Sequence, residues 1–156
     1  MLEIEIPGLA TFRLRHLVLD VNGTIAQDGE LLPQVKELLA ALSADVAIHL
    51  ITADTHGKQE TIDRLLDLAA VRIPLQNQAQ AKLDFIERLG PQGVVAVGNG
   101  ANDAAMLERA ALGIVIVGPE GAAIESLLKA KIAVPDIRTA LELLLHPNRL
   151  RATLRR

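Results

Sequence analysis

Leu17-Val18-Leu19-Asp20-Val21-Asn22-Gly23-Thr24 decides how the rest of the chain is read. An apolar run ends in an acid, and an Asn-Gly turn and a threonine follow. Open α/β sheets place their chemistry outside the carboxyl ends of the strands, so a buried strand that delivers a carboxylate there marks a candidate site. Asn-Gly between apolar residues is also a strong hairpin signal, and on its own the loop reads equally well as a tight turn. A second loop tips the balance: Gly98-Asn99-Gly100-Ala101-Asn102-Asp103 also follows an apolar run and also ends in an acid. Two such loops in one α/β chain suggest a phosphate and metal site.

Around these loops, short apolar runs alternate with stretches of helical spacing. Leu2 to Ile6 and Thr11 to Leu14 alternate apolar and polar residues about Pro7-Gly8, which predicts an N-terminal β-hairpin. Strands are expected at 16–19, 46–51, 71–75, 94–97, 112–117 and 132–134. Helices are expected at 31–42, 56–68, 79–89, 102–110, 121–130 and 137–145. Pro33 suits the first turn of the helix at 31–42. Gly90-Pro91 stops the helix at 79–89, and Pro147 follows the closing helix. The alternation predicts a single α/β domain over residues 1–156, a Rossmann-like parallel sheet with helices on both faces. Asp20, Thr52 and the Gly98 loop each follow a strand, so they gather at one edge.

Composition narrows the chemistry. Half of the 156 residues are apolar, Phe12 and Phe85 are the only aromatics, and the net charge is −3. With almost no ring surface for base stacking and no basic field, no nucleic-acid partner is expected. Arg149, Arg151, Arg155 and Arg156 read as a solvated helix end. The absence of cysteine excludes disulfides, thiolate zinc sites and cysteine nucleophiles. The four histidines show no ligand spacing, and no G-x-S-x-G motif is present. No signal peptide is recognisable, and no apolar run reaches the ~18 residues that span a bilayer. A cytoplasmic protein with no membrane partner is expected. The apolar surplus, including Leu2, Ile4 and Ile6, suggests a homo-oligomer.

Asp20 is the candidate nucleophile. An exposed carboxylate has a pKa of ~3.9 and needs no base before it attacks phosphorus. Thr52 ends the run His49-Leu50-Ile51, where a hydroxyl can hold a phosphate oxygen or simply cap the next turn. Lys82, early in the helix at 79–89, can neutralise phosphate and Asp20, with Lys58 as its rival. Glycines in the Gly98 loop let backbone N–H groups approach an anion, and Asp103 offers a hard oxygen suited to Mg²⁺.

These four segments resemble the haloacid dehalogenase (HAD) superfamily, most of all its soluble P-type-ATPase-like branch. The family's D-x-x-G-T loop is matched by Asp20-Val21-Asn22-Gly23-Thr24, and its strand-end Thr by Thr52-Ala53-Asp54. Its Lys pattern is matched by Lys82, Ile86 and Leu89, and its G-D-G-x-N-D loop by Gly98 to Asp103. The motifs fall in the family's order over roughly His16 to Leu145. The resemblance implies Gly23, Thr52, Ala53 and Lys82 around the phosphoryl group. It implies Asp20, Asn22, Asn99 and Asp103 around Mg²⁺, with Thr24 and Asn102 in support.

The departures from the pattern matter as much. Many members carry a second Asp, an acid and base catalyst, where this chain has Asn22. The last motif opens with a metal-binding Asp where this chain has Asn99. No cap domain fits between Thr24 and Thr52 or between Thr52 and Lys82, and the lack of pump-sized insertions speaks against an ion pump. The expectation is a capless, Mg²⁺-dependent phosphohydrolase that forms an aspartyl-phosphate, turns over slowly and acts on a phosphorylated substrate the sequence does not name. The alternative is a non-catalytic phosphate-binding or regulatory module on the same fold.

Overall fold

Apolar runs become strands throughout the computed structural model, which describes residues 1–156. Strands β1 (Leu2–Ile6) and β2 (Ala10–Leu14) form the antiparallel N-terminal hairpin. Strand β3 (His16–Asp20) leads to a small second hairpin, β4 (Ala26–Gln27) and β5 (Glu30–Leu31), and then helix α1 (Val35–Leu42). Next come β6 (Ala47–Thr52), α2 (Gln59–Leu66), β7 (Val71–Arg72), α3 (Gln78–Leu89) and β8 (Val94–Gly98). A 3₁₀ turn, Ala101–Asp103, opens α4 (Ala104–Arg109), and β9 (Leu112–Ile116) and α5 (Ile124–Lys129) follow. The chain closes with β10 (Ile132–Val134), α6 (Ile137–Leu145) and α7 (Pro147–Leu154).

Six strands form one parallel sheet in the order β10-β9-β8-β3-β6-β7. The chain grows from β3 to one side, then crosses back to β8 and grows to the other. That reversal at β3 is where open α/β sheets form their binding crevice. Alternation within the strands feeds two cores. Leu17 and Leu19 face a cluster with Leu39, Leu141 and Leu144, while Val18 faces Phe85, Ile86, Met106 and Leu107. Helices therefore cover both faces, as the alternating pattern requires. Helix α6 starts where Asp136 accepts the Thr139 N–H at 2.7 Å, an N-cap at the expected boundary.

Four readings change. The helix expected from Leu31 begins at Val35, and Leu31 instead pairs with Ala26. The cause is Asp28-Gly29, both with positive φ (52° and 78°), which closes a two-residue hairpin turn. Pro33 thus lies before the helix, not in its first turn. Second, Pro147 starts a helix where a stop was expected, because a first-turn proline gives up no hydrogen bond. Third, the arginines there are partly engaged: Arg151 Nε donates to Glu5 O at 2.9 Å, and Arg149 pairs with Glu142 at 3.1 Å. Fourth, Ile4 and Ile6 of the hairpin pack into the chain's own core, with Leu2 partly buried beside them. The three most exposed large apolar side chains are elsewhere, at Leu75, Ile124 and Leu128. Smaller boundary shifts leave α2 starting at Gln59, β7 with two residues and α5 starting at Ile124. Only the β4–β5 hairpin interrupts the strand–helix alternation between Thr24 and Lys82, and no cap domain stands there. No helix is long and apolar enough to cross a membrane.

Candidate active site

Strand register builds the site. Asp20 ends β3 opposite Ile51 of β6, so Thr52 stands one residue further along the neighbouring strand. On the other side Leu19 pairs with Val97, which sets Asp20 beside the Gly98 loop. Lys82 arrives from α3. Its Nζ donates to Asp20 Oδ1 at 2.7 Å and to Asp103 Oδ1 at 2.6 Å. All three groups are buried: Asp20 is 8% exposed, Lys82 1% and Asp103 0%. The residue pairs are 62 and 21 positions apart in sequence, so only the fold joins them.

The supporting polar groups are specific. Thr24 Oγ1 donates to Asp20 Oδ2 at 3.4 Å. Asn102 donates its amide to Gln78 Oε1 at 2.7 Å, which turns its own oxygen toward Lys82 Nζ at 3.5 Å. Asp103 Oδ2 accepts the N–H groups of Asn99 and Gly100, each at 2.9 Å. These N–H groups were expected to meet an outside anion; they are committed to a carboxylate of their own loop instead. Gly98 makes that possible, since a β-carbon there would meet Asp103 Cγ and Oδ2 at 2.5 Å.

Thr52 Oγ1 accepts the Asp54 N–H at 2.9 Å, and Asp54 Oδ1 accepts the Gln59 N–H at 3.1 Å. Thr52 thus does cap its turn, as one of its two readings held, while its O–H remains available to an oxygen. Ala53 lies within the same turn. The Gly23 N–H is spent on Ala26 O at 2.8 Å, so Gly23 does not offer it to a phosphate. Its positive φ of 78° shapes the loop instead. The Asn22 amide donates to Thr55 Oγ1 at 3.4 Å. Asn99 Nδ2 donates to Gly121 O at 3.4 Å. Lys58 is outside the site: its Nζ reaches Asp28 O at 3.3 Å and its stem covers the β4–β5 turn.

Burial changes the electrostatics of the nucleophile candidate. Asp20 was expected to be exposed and fully ionised. Removal from water, and then the nearby Asp103 charge, push its pKa up to about 7 against the pull of Lys82. Burial alone would lower Lys82, but the Asp20 and Asp103 carboxylates more than reverse this and hold it protonated. Two buried carboxylates therefore share one ammonium, and ionising Asp20 leaves one negative charge uncompensated. That charge suits a divalent cation. No three Asp, Glu or His side chains converge at metal-binding spacing. A cation here would rest on Asp20 and Asp103, on neutral oxygens such as the Asn99 amide and the Asn22 carbonyl, and on water, which Mg²⁺ tolerates well.

Two features escaped the sequence reading. Glu120, in Gly118-Pro119-Glu120-Gly121, lies at the same edge of the sheet. A β-carbon on Gly23 would collide with Glu120 Oε2 and would lie 2.7 Å from Asn99 Nδ2. The signal was available, because an acid in a glycine-rich turn after an apolar strand is the rule that singled out Asp20. At the opposite end of the sheet, His16 Nδ1 and His49 Nε2 meet at 3.1 Å, although their spacing in sequence gave no hint of it.

Comparison with known proteins follows the same lines. Residues 1–111 match the family described as haloacid dehalogenase-like hydrolases. An uncharacterized protein of Methanocaldococcus jannaschii is 46% identical over 79 residues, which cover 48% of this chain and 85% of that protein. Among solved structures, a protein described as a HAD superfamily (subfamily III A) hydrolase from Legionella pneumophila superposes with a TM-score of 0.71. It is 15% identical, over 90% of this chain and 86% of its own. The 3-deoxy-D-manno-octulosonate 8-phosphate phosphatase of Moraxella catarrhalis was solved with magnesium, phosphate and a KDO molecule. It gives a TM-score of 0.66 at 16% identity, over 90% of this chain and 93% of its own.

Proposed function

We propose a function that proceeds from one premise: the chain belongs to the haloacid dehalogenase-like hydrolase family. Its fold is that of HAD superfamily phosphatases. On this reading the protein is a slow, Mg²⁺-dependent phosphohydrolase that works through an aspartyl-phosphate on Asp20. The observation that carries it is the convergence of Asp20, Lys82 and Asp103 at the reversal point of the sheet, with Thr52 on the adjoining strand.

Each residue has a task. An Asp20 oxygen attacks phosphorus, the bond to the leaving oxygen breaks, and that oxygen takes a proton from water. Lys82 and the Thr52 hydroxyl offset charge on the phosphoryl oxygens as it shifts. Asp103 holds Lys82 in place, and Asn102 keeps it oriented. Water then attacks the phosphoryl-Asp20, the bond to the Asp20 oxygen breaks, and phosphate leaves with Asp20 restored. Mg²⁺, bound by Asp20 and Asp103 with the neutral oxygens of Asn22 and Asn99, would keep Asp20 ionised and neutralise phosphoryl charge. No carboxyl group stands at position 22 to relay protons, and that makes both halves slow.

A second reading rests on the same residues. With Asn22 tied to Thr55 and Asn99 to Gly121, the module binds phosphate or holds it on Asp20 without releasing it. One experiment separates the two. The protein is incubated with para-nitrophenyl phosphate or acetyl phosphate plus Mg²⁺, and mass spectrometry locates phosphate on the chain. Turnover that is lost in Asp20→Asn supports the hydrolase. A stable phosphoryl-Asp20 without turnover supports the regulatory module. Undiminished turnover in Asp20→Asn removes the assigned nucleophile.

A further inference from the structure

We infer that Glu120 supplies the carboxylate that position 99 lacks, as an outer acidic partner of the hydrated divalent cation held by Asp20 and Asp103. The inference rests on the proposed Mg²⁺ site and adds to it a residue from a turn that none of the four family motifs contains.

Three observations bear on it. Glu120 Oε2 and both atoms of the Asn99 amide crowd one small volume over Gly23, where a β-carbon would meet all of them. Gly23 belongs to the Asp20 loop and Asn99 to the Asp103 loop, so Glu120 lies where the two loops of the site touch. Second, the turn that carries it is fastened to the Asp103 loop. The Ala123 N–H donates to Asn99 O at 2.9 Å, Ser126 Oγ to Gly100 O at 2.6 Å, and Asn99 Nδ2 to Gly121 O at 3.4 Å. The turn is closed on itself by the Gly121 N–H and Gly118 O at 2.8 Å. The backbone that carries Glu120 is thus held against the Asp103 loop, and the exposed side chain extends from that fixed turn over Gly23.

Third, the side chain at 99 matches this arrangement only as an amide. A carboxylate there would face both the Gly121 carbonyl oxygen and the Glu120 carboxylate, with no N–H to offer either. Asn99 and Glu120 read as an exchange: the amide fastens the turn, and the turn brings the acid. The three carboxylates do not converge on one point. That suits a cation that keeps part of its water shell, since Mg²⁺ binds few side chains directly and retains several waters. Glu120 then acts on the cation through that water.

The test is Mg²⁺ binding by calorimetric titration of the full chain, with the metal alone and no substrate. Glu120→Gln is expected to weaken binding about tenfold, the scale of losing an outer-shell partner. Glu125→Gln, which removes the same charge from exposed α5, is expected to leave binding within about twofold, as a well-screened surface charge should. Equal effects from the two variants, or wild-type binding in Glu120→Gln, would overturn the assignment. Asp103→Asn separates the inference from its foundation. If Asp103→Asn abolishes binding while Glu120→Gln does not weaken it, the cation site stands and Glu120 leaves it. If neither variant alters binding, or wild type binds no Mg²⁺ at millimolar concentration, the site and the inference fall together.

Discussion

Lys82 Nζ stands 2.6 Å from Asp103 Oδ1, and neither side chain is open to solvent. The same ammonium serves Asp20, so it is the only positive charge between two buried acids. Breaking a buried ion pair by removing one partner costs about 3–5 kcal/mol, because the other charge stays buried and unpaired. Lys82→Met is therefore expected to lower unfolding stability by about that amount in EDTA, measured by urea titration. Excess Mg²⁺ should recover part of the loss, since a cation can stand in for the ammonium. A loss below about 1 kcal/mol, the scale of an exposed pair, would mean that the acids are far better hydrated than their burial indicates.

Asp20 gives a pH signature. Its pKa in the folded chain, about 7, lies above the 3.8 of an unfolded aspartate, so the folded state holds the extra proton between those values. Stability without Mg²⁺ then falls as pH rises through that window and levels off above it. His49 pulls the other way below its ordinary 6.5, because burial and the neighbouring His16 lower its pKa. The difference between wild type and Asp20→Asn isolates the Asp20 contribution. In EDTA the gap between the two proteins should widen steadily as pH rises from about 4 to 7, and Asp20→Asn should be the more stable at pH 8. Mg²⁺ should narrow that gap by binding the ionised wild type. A variant less stable than wild type at pH 8 in EDTA would contradict the raised pKa.

Gly98 has no freedom to become larger. A β-carbon there would press on Asp103 Cγ and Oδ2 at 2.5 Å, and Asp103 is pinned by two backbone N–H groups. Gly98→Ala should displace the Asp103 carboxylate, weaken Mg²⁺ binding and cost about 1–3 kcal/mol, as overpacking does. Calorimetry and urea unfolding on one sample read both effects. Unchanged metal binding would show that the cation does not depend on where Asp103 sits.

Much of this fold could be read from sequence because each central strand is a short apolar run followed by a polar or glycine-rich turn. The order Asp20, Thr52, Lys82, Asp103 then follows from strands that all run one way. What could not be read depends on distance in space. The β4–β5 hairpin has strands of two residues, too short for periodicity, although Asp28-Gly29 announced its turn. Asn22-Gly23 carries the stronger-looking hairpin signal but forms a tight loop instead. Pro147 carries two meanings, stop and first turn, and only the packing of Leu150 and Arg151 against the N-terminal hairpin selects the second. The burial of Asp20, the His16–His49 contact and the position of Glu120 all require the sheet to be assembled first.

The last expectation is a gain of activity at position 22. Asn22 occupies the place of the family's acid and base, and its amide makes one long bond, 3.4 Å to Thr55 Oγ1. An aspartate of nearly the same shape can accept the Thr55 hydroxyl proton in place of donating to its oxygen, so the loop has a way to keep its form. General acid–base assistance is worth roughly 10²–10⁴-fold, and Asn22→Asp should raise turnover of para-nitrophenyl phosphate by at least about tenfold. The gain belongs chiefly to the second half-reaction, where a base must take a proton from the attacking water. Phosphoryl-Asp20 should therefore become less abundant at steady state as turnover rises, which quenched-flow labelling measures. Faster turnover with undiminished phosphoryl-Asp20 would assign the gain to the first step. No gain at all, with Mg²⁺ saturating and Asp20 unlabelled, would take away the hydrolase and leave the phosphate-binding module as the function of this fold.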